Sequence, residues 1–240
     1  MISIVIPTLN EERRIGQTLQ RLRDTLVGDF EIIVSDGGSK DKTADIARAL
    51  ADKVIVHSGL DRQTIAGGRN AGAKVAAGEY ITFLDADVTI PNPAILFPGA
   101  IALFEKNKKL LGLCVALKVH PSECKRGDGF FSWLVNTVHR FLNNVLRIGS
   151  AMGEFQMVRR EVFITVGGYR EDLVAGEDNE LFWRFNKIGR TRLCTEWVVY
   201  HSGRRAHQIG WIKLIYTWMI NVGSVYIFKR SVSKEWTEVR

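Results

Sequence analysis

The stretch GEYITFLDADV, residues 78–88, decides the fold of this chain. Residues 80–84 are apolar and rich in aromatic and β-branched side chains, which predicts a buried strand. Asp85 and Asp87 follow two positions apart, so their side chains leave the strand end on the same side. Two carboxylates this close repel each other unless a cation lies between them, and their oxygens suit Mg²⁺ or Mn²⁺. Turn or capping carboxylates before Pro91 are the alternative.

The composition is that of a folded, basic protein. The chain has 240 residues, of which 46% are hydrophobic, and a formal net charge of +7. This length suffices for one domain with or without an appendage. The charge favours anionic partners such as nucleotide diphosphates, phospholipid head groups or nucleic acid. Three cysteines without C-x-x-C spacing, and no signal-peptide pattern after Met1, predict a cytoplasmic location.

Strands and helices alternate through the first ninety residues. Strands are predicted at 2–6, 31–35, 54–56 and 80–84. One helix is predicted to open with Glu11 and Glu12, and two more cover 43–51 and 67–77. This alternation predicts an α/β fold with an open, mostly parallel sheet flanked by helices. Ligands bind outside the carboxyl ends of such strands, where Pro7, Thr8, Asp36 and the aspartate pair would meet.

Beyond residue 90 the pattern is less regular. Helices are predicted at 93–106, 130–148, from 177 onward and at 211–228, and strands at 110–119, 155–159 and 191–200. The helix at 130–148 mixes aromatic and basic residues, so it either packs in the core or lies at a lipid interface. The apolar stretch 211–228 has 18 residues, against the ~20 that a membrane span needs. Spanning, interfacial and core positions remain open for it.

Two residues near the predicted strand ends are further binding candidates. Asp36 precedes Gly37, which lets the backbone approach a ligand closely, so the carboxylate could accept bonds from a base or a ribose. A tight turn in which Asp36 bonds its own backbone is the alternative. Arg69 starts a helix of small residues and could reach a phosphate or brace a carboxylate. The alternative for Arg69 is an ordinary surface arginine.

Paired acids and a basic cluster lie in the second half of the chain. Glu177 and Asp178 open a helix, where acids stabilise the helix dipole by ~0.3–1 kcal/mol. Alternatively, one of them acts as a general base on an attacking hydroxyl and the other supports it. His201 follows a strand and is a candidate metal ligand, although a lone histidine is more often structural. Arg204 and Arg205 suit a pyrophosphate or an anionic acceptor.

Four stretches resemble the family 2 glycosyltransferases of the GT-A fold. They are VIPTLNEE (5–12), VSDGGSKDKT (34–43), GGRNAGAKVAAGEYITFLDADV (67–88) and GEDNELFWR (176–184), in the order that the family has. The resemblance covers most of residues 1–201 and extends to enzymes with lipid acceptors, such as dolichyl-phosphate-sugar synthases. It implies an inverting transfer of one sugar from a UDP- or GDP-type donor, with Mn²⁺ or Mg²⁺ neutralising the leaving diphosphate.

The resemblance also implies a role for each matching residue. Asp36 would contact the base, Asp85 the ribose or a metal-bound phosphate, and Asp87 the divalent ion. Asp178 would be the catalytic base, with Glu177 in support. The other predicted nucleotide-sugar contacts are Pro7, Thr8, Asn10, Glu11, Gly37, Arg69, Ala86, Arg204 and Arg205, and the other predicted metal ligands are Asp85 and His201.

The sequence departs from the family pattern in two places. D-G-G-S stands where D-D-G-S or D-N-G-S is commoner, which leaves open which residue grips the base. The Q-x-x-R-W motif of processive synthases does not follow Asp178, which favours transfer of a single sugar. By resemblance, residues 1–205 form a GT-A domain with a nucleotide-binding half (1–90) and an acceptor half (91–205). Residues 206–240 then form an amphipathic or membrane-associated helical segment.

The charge and the aromatic helices favour peripheral contact with the cytoplasmic face of a membrane and a lipid-linked acceptor. Two rival functions explain less of the sequence. A sugar-nucleotide pyrophosphorylase would show a glycine- and basic-rich loop after its first strand, where this chain has Glu11 and Glu12. A non-catalytic module binding membrane or nucleic acid would explain the charge but not the two acid pairs. We therefore predict no nucleic-acid partner.

Overall fold

The computed structural model describes residues 1–233, so the end of the predicted segment 206–240 lies outside the described residues. The strands are β1 (Ile2–Thr8), β2 (Phe30–Asp36), β3 (Lys53–Val56), β4 (Tyr80–Leu84), β5 (Leu110–Val119), β6 (Phe155–Arg159) and β7 (Arg190–His201). The helices are α1 (Ile15–Thr25), α2 (Thr43–Leu50), α3 (Ile65–Val75), α4 (Pro93–Lys106), α5 (Asp128–Arg140), α6 (Arg160–Thr165), α7 (Glu177–Ile188), α8 (Arg204–Ile209) and α9 (Trp211–Phe228). A π-helical turn, Phe141–Val145, continues α5.

The strands form one seven-stranded sheet in the order β3-β2-β1-β4-β6-β5-β7. Strand β6 runs antiparallel to β4 and β5, and the other neighbouring pairs are parallel. The predicted open, mostly parallel α/β sheet is thus confirmed. Because β6 is reversed, its first residues lie at the edge where β4 and β5 end. The sheet continues across residue 90, and the proposed division into two halves stays a prediction.

The central strands are mostly apolar because helices cover both faces of the sheet. Ile4 and Ile6 of β1 and Phe83 of β4 are fully buried. Helix α3 packs closely on β1 at Gly72, where an added Cβ would lie 2.3 Å from Val5 Cγ1. This close approach also brings Arg69, one turn earlier on α3, against the sheet.

Helix α1 begins later than the sequence predicted. The backbone N–H of Glu11 donates to Thr43 Oγ1 at 2.7 Å, and that of Glu12 donates to Asp41 at 3.3 Å. These bonds tie the turn after β1 to the turn after β2, so the helix starts at Ile15. Helix α8 was not predicted, because the sequence pattern around Arg204 has no apolar periodicity to indicate it.

Helices α5 and α9 expose apolar side chains side by side. Phe131 of α5 stacks on Trp211 of α9 with ring centroids 5.4 Å apart. We call the exposed set the α5–α9 face; it comprises Phe130, Trp133, Phe141, Val145, Ile212, Tyr216, Met219, Ile227 and Phe228. For Phe130, Trp133, Phe141 and Val145, the core-packing alternative is wrong. No helix within residues 1–233 combines the length and the apolar character needed to cross a membrane.

Candidate active site

A buried arginine joins the two acidic motifs. Arg69 is 2% exposed, and its Nη1 donates to Glu177 Oε1 at 2.9 Å. Its Nη2 donates to Asp85 Oδ1 at 3.2 Å and to the carbonyl of Gly153 at 2.9 Å. The guanidinium also lies over the Tyr169 ring, 5.4 Å from its centroid. Arg69 therefore braces carboxylates, and the surface-arginine alternative is wrong; contact with a phosphate stays a prediction.

Several buried or half-buried carboxyl groups are concentrated around this arginine. Burial raises the pKa of Asp85 to about 6, with repulsion from Asp87 adding to it and Arg69 opposing it. Burial, followed by repulsion from Asp85, raises the pKa of Glu154 to about 8. The pKa of Glu177 is also raised, by burial and by the neighbouring Asp178. Burial thus holds these carboxyls toward their neutral forms, and a cation bound beside them would favour the ionised forms.

The paired acids on α7 have different surroundings. Glu177 is buried against Arg69, whereas Asp178 is partly exposed. Asp178 Oδ1 accepts bonds from the backbone N–H and the side-chain Nδ2 of Asn179, at 2.7 and 2.9 Å. Burial raises the pKa of Asp178, and Arg69 opposes that shift. One acid is thus held by an arginine while the other is partly exposed, and their roles as support and base stay a prediction.

Asp87 meets residues that follow β7. Its Oδ2 accepts bonds from Ser202 Oγ and, at 3.3 Å, from Arg204 Nη2. The same Nη2 donates to Glu11 Oε1 at 2.8 Å, and burial raises the pKa of Glu11. Arg204 thus bridges two carboxylates of the predicted nucleotide site. For Arg204 to contact a pyrophosphate, as predicted, it would have to share these partners.

His201 ends β7 next to Ser202. Burial lowers the pKa of His201, so the ring is neutral at pH 7. Its Nδ1 accepts a bond from the backbone N–H of Gly203 at 3.2 Å, which places the ring proton on Nε2. Coordination of a metal through Nε2 would require this tautomer to change. Its predicted role as a metal ligand stays a prediction.

The residues after β4 fit a metal that arrives with phosphates. Within residues 1–233, no group of three or more His, Cys, Asp or Glu side chains is placed to hold a metal ion. Mg²⁺ in nucleotide sites usually takes one or two carboxylates, and substrate phosphates and water fill the other positions. Asp85 and Asp87 offer such a pair, and after burial their mutual repulsion helps to raise the pKa of Asp85. The donor set therefore matches a divalent ion carried by a diphosphate.

The turns after β1 and β2 form one hydrogen-bonded unit. Asp36 is fully buried, and its carboxylate accepts bonds from Gly38 N–H, Ser39 N–H, Ser39 Oγ and Thr8 Oγ1, at 3.0, 2.8, 2.5 and 3.3 Å. These four bonds use the acceptor capacity of a carboxylate. The turn alternative therefore describes Asp36, and contact with a base would have to displace one of these donors. Asn10, with φ 55°, joins the unit through Ser39 Oγ.

The remaining predicted residues lie around the same edge. The N–H of Gly37 donates to the carbonyl of Thr8 at 2.8 Å. Pro7 lies under α3, where a Cβ added to Gly68 would be 3.4 Å from it. Ala86 is buried, and its carbonyl accepts a bond from Thr18 Oγ1 at 2.7 Å. Burial, followed by repulsion from Arg204, lowers the pKa of Arg205.

Sequence reasoning missed four residues of this site: Gly153, Glu154, Tyr169 and Ser202. Gly153 and Glu154 precede β6. They were missed because ligands are expected at the carboxyl ends of strands, and these residues lie before the start of one. The antiparallel pairing of β6 with β4 brings them in, with Asp85 N–H donating to the carbonyl of Glu154 at 3.2 Å. A sequence prediction that allowed one antiparallel strand in the sheet would have pointed to Gly153 and Glu154.

Comparison with known proteins places the chain among sugar-transferring proteins. The family model described as Glycosyl transferase family 2 matches residues 3–167. The succinoglycan biosynthesis protein ExoA of Rhizobium meliloti is 31% identical over 196 residues, which are 78% of this chain and 58% of that protein. A PGL/p-HBAD biosynthesis glycosyltransferase of Mycobacterium bovis is 38% identical over 91 residues, which are 36% of this chain and 35% of that protein.

A solved structure shares the fold along the whole chain. The mannosyltransferase PcManGT of Pyrobaculum calidifontis, in complex with GDP-Man and Mn²⁺, has a TM-score of 0.72 and 17% identity. The match covers 100% of this chain and 65% of that one. The predicted GT-A fold is thereby confirmed. The matches to the two curated relatives described above cover about a third and about three fifths of their lengths.

Proposed function

The chain belongs to glycosyl transferase family 2, and from that premise we propose that it transfers one sugar, with inversion, from a nucleotide-diphosphate sugar to an acceptor hydroxyl or phosphate. One observation carries this proposal: Arg69 bonds Asp85 and Glu177 together. It thereby brings Asp85 of the D-x-D motif next to Glu177, the neighbour of the partly exposed Asp178. Neither a pyrophosphorylase nor a non-catalytic basic module requires this arrangement.

We propose a step for each of these groups in an inverting displacement. Asp178 takes the proton of an acceptor hydroxyl while that oxygen attacks the anomeric carbon opposite the diphosphate. The new carbon–oxygen bond forms as the bond to the diphosphate breaks, and the nucleotide diphosphate leaves. Asp87 and Asp85 would hold a Mn²⁺ or Mg²⁺ ion, which when bound stabilises the charge that develops on the diphosphate. Glu177 keeps Arg69 in place, and Arg69 in turn positions Asp85.

A UDP- or GDP-type donor is proposed on two grounds. The turns after β1 and β2 lie beside the aspartate pair at the carboxyl edge of the sheet, where nucleotides bind in open α/β folds. The mannosyltransferase that shares the fold holds GDP-Man and Mn²⁺. A screen of nucleotide sugars for metal-dependent hydrolysis and transfer tests the proposal directly. Transfer from no donor, with Mn²⁺ or with Mg²⁺, would refute it.

Changing Asp87 to Asn should remove metal-dependent nucleotide binding. In wild type with Mn²⁺, UDP or GDP at a hundred times its Kd should stabilise the fold by about 2.7 kcal/mol. Asp87→Asn lacks one of the two carboxylate ligands, so most of this stabilisation should disappear along with the transfer activity. Thermal unfolding with and without Mn²⁺ measures it. Asp24→Asn is the control, because Asp24 is exposed and its carboxylate accepts a bond from Gln20 on the same helix. A full stabilisation by nucleotide and Mn²⁺ in Asp87→Asn would contradict the assignment.

We also propose that the acceptor is lipid-linked and that the protein lies peripherally on the cytoplasmic face of a membrane. The α5–α9 face offers exposed aromatic and aliphatic side chains, and a shallow groove of about 620 Å³ lies along the start of α9 next to Phe131. Exposed basic residues lie in the same helices or just before or after them in the sequence: Lys125, Arg126, Arg140, Arg147, Lys213, Lys229 and Arg230. Apolar side chains edged by positive charge suit the interface of an anionic bilayer.

Replacing exposed residues of this face should weaken binding to liposomes. Trp133→Ser combined with Met219→Ser should reduce sedimentation with phosphatidylglycerol vesicles, since each side chain is more than half exposed and available to the lipid. Trp211 is left intact because its Nε1 donates to Asp128 at 2.7 Å. Leu60→Ser is the matched control, an exposed apolar residue in the loop after β3. Equal binding of the double variant and wild type would exclude this face as the membrane contact.

A further inference from the structure

We infer that His139 and Ser150 are positioning residues for the proposed base Asp178, acting through Asn179. This inference rests on the proposed function and extends it to residues outside the family motifs. His139 Nδ1 lies 2.7 Å from Ser150 Oγ, and Ser150 Oγ donates to Asn179 Oδ1 at 2.6 Å. Asn179 Nδ2 then donates to Asp178 Oδ1 at 2.9 Å. A continuous chain of hydrogen bonds thus runs from α5 to the acid pair.

Chemistry fixes the direction of every bond in this chain. An ionised carboxylate can only accept, so the amide nitrogen of Asn179 must face Asp178 and its oxygen must face Ser150. Ser150 therefore donates its single hydroxyl proton to Asn179 and must accept a hydrogen bond from His139. Because burial lowers the pKa of His139 to about 4, the ring is neutral and carries one N–H, which this chain places on Nδ1.

Ser150, in the middle of this series of hydrogen bonds, is held rigidly against α7. The N–H of Ser150 donates to Asn143 Oδ1 at 3.1 Å, and Asn143 Nδ2 donates to the carbonyl of Ser150 at 2.6 Å. Gly149, with φ +89°, lies so close to α7 that an added Cβ would be 2.2 Å from the carbonyl oxygen of Phe182. Ser150 is itself 1% exposed. These constraints keep its hydroxyl on Asn179 without help from solvent.

The consequence for Asp178 is a fixed carboxylate orientation. Two donors from Asn179, the backbone N–H and Nδ2, bind Oδ1. Oδ2 is left on the side of Gly153, where an added Cβ would lie 3.5 Å from it and 2.9 Å from Arg69 Nη2. The oxygen that would take the acceptor proton is therefore selected by the chain. Linked hydrogen bonds also polarise one another, which strengthens the last bond to Asp178.

Steady-state kinetics of four variants test the inference. Ser150→Ala and His139→Leu remove the chain, and we expect kcat to fall about tenfold to a hundredfold while the KM for the donor changes less than about twofold. His139→Asn keeps an N–H near the Nδ1 position and should recover most of the rate. Tyr226→Phe is the matched control, since it removes a hydrogen bond of 2.9 Å to the Gly149 carbonyl and leaves the chain intact.

Two readouts separate this inference from the proposed function. If wild type transfers sugar and Asp178→Asn does not, but Ser150→Ala and His139→Leu lose no more rate than Tyr226→Phe, then the positioning role alone is wrong. The ¹⁵N spectrum of His139 is recorded on the wild-type protein, so it requires neither transfer activity nor a folded variant. We expect the proton on Nδ1; a proton on Nε2 with Nδ1 unprotonated would overturn the chain even if wild type proved inactive.

Discussion

Asp178→Asn should lower kcat by about 10²–10⁴-fold, the contribution typical of a general base, while nucleotide affinity in Mn²⁺ stays unchanged. The amide has the size of the carboxylate, and its oxygen can still accept both bonds from Asn179. What it loses is the capacity to take the proton of an acceptor hydroxyl. Steady-state rates and calorimetric titration with UDP or GDP measure the two quantities separately.

The pH dependence of the rate gives a second test of the same assignment. Burial raises the pKa of Asp178 above the ~3.9 of an ordinary aspartate. A base works when it is deprotonated, so kcat should fall as the pH drops through that raised pKa, and the residual rate of Asp178→Asn should lack this limb. Asp172→Asn, an exposed acid in the loop before α7, should behave as wild type. A fully active Asp178→Asn enzyme would remove Asp178 from the role of base.

The strands that decide the fold were predictable because local patterns fix them. The strand before the aspartate pair has the predicted bounds, Tyr80–Leu84. A short, β-rich apolar run that stops at Asp85 is typical of a buried strand. The direction of β6 was not predictable, because its five residues form an equally good strand in either orientation. Partners from β4 and β5 set that direction, and with it the position of Glu154.

The roles of individual site residues depended on distant contacts. Arg69 could be a surface arginine or a brace, and its partners Asp85 and Glu177 lie 16 and 108 residues away in the sequence. Asp36 could grip a base or cap its own turn, and the donors that decide the matter include Thr8, from a different strand. Apolar composition also left α9 ambiguous. Its exposed side chains became evident when its neighbours were in place.

Arg69→Met should destabilise the fold by about 3–5 kcal/mol, the cost of removing one partner from a buried ion pair. Methionine fills similar space but leaves Glu177 and Asp85 without the guanidinium that both contact. It also leaves the carbonyl of Gly153 without that donor. Urea unfolding monitored by circular dichroism measures the loss. Arg14→Met is the control, because Arg14 and Glu123 are each about one third exposed and such pairs contribute about 0–1 kcal/mol.

The loss of folding stability in Arg69→Met should grow with pH. In wild type, Arg69 lowers the pKa of both Asp85 and Glu177 against the effect of burial. Without it, the folded pKa of each carboxyl rises further above its unfolded value of ~3.9 or ~4.3. The folded variant then binds more protons than the unfolded chain, so its stability falls as pH rises from about 5 to 8. Adding Glu177→Gln removes one uncompensated charge and should restore part of the loss at pH 8. A deficit below about 1 kcal/mol, or one that is equal at both pH values, would show that Arg69 does not hold the acidic motifs together.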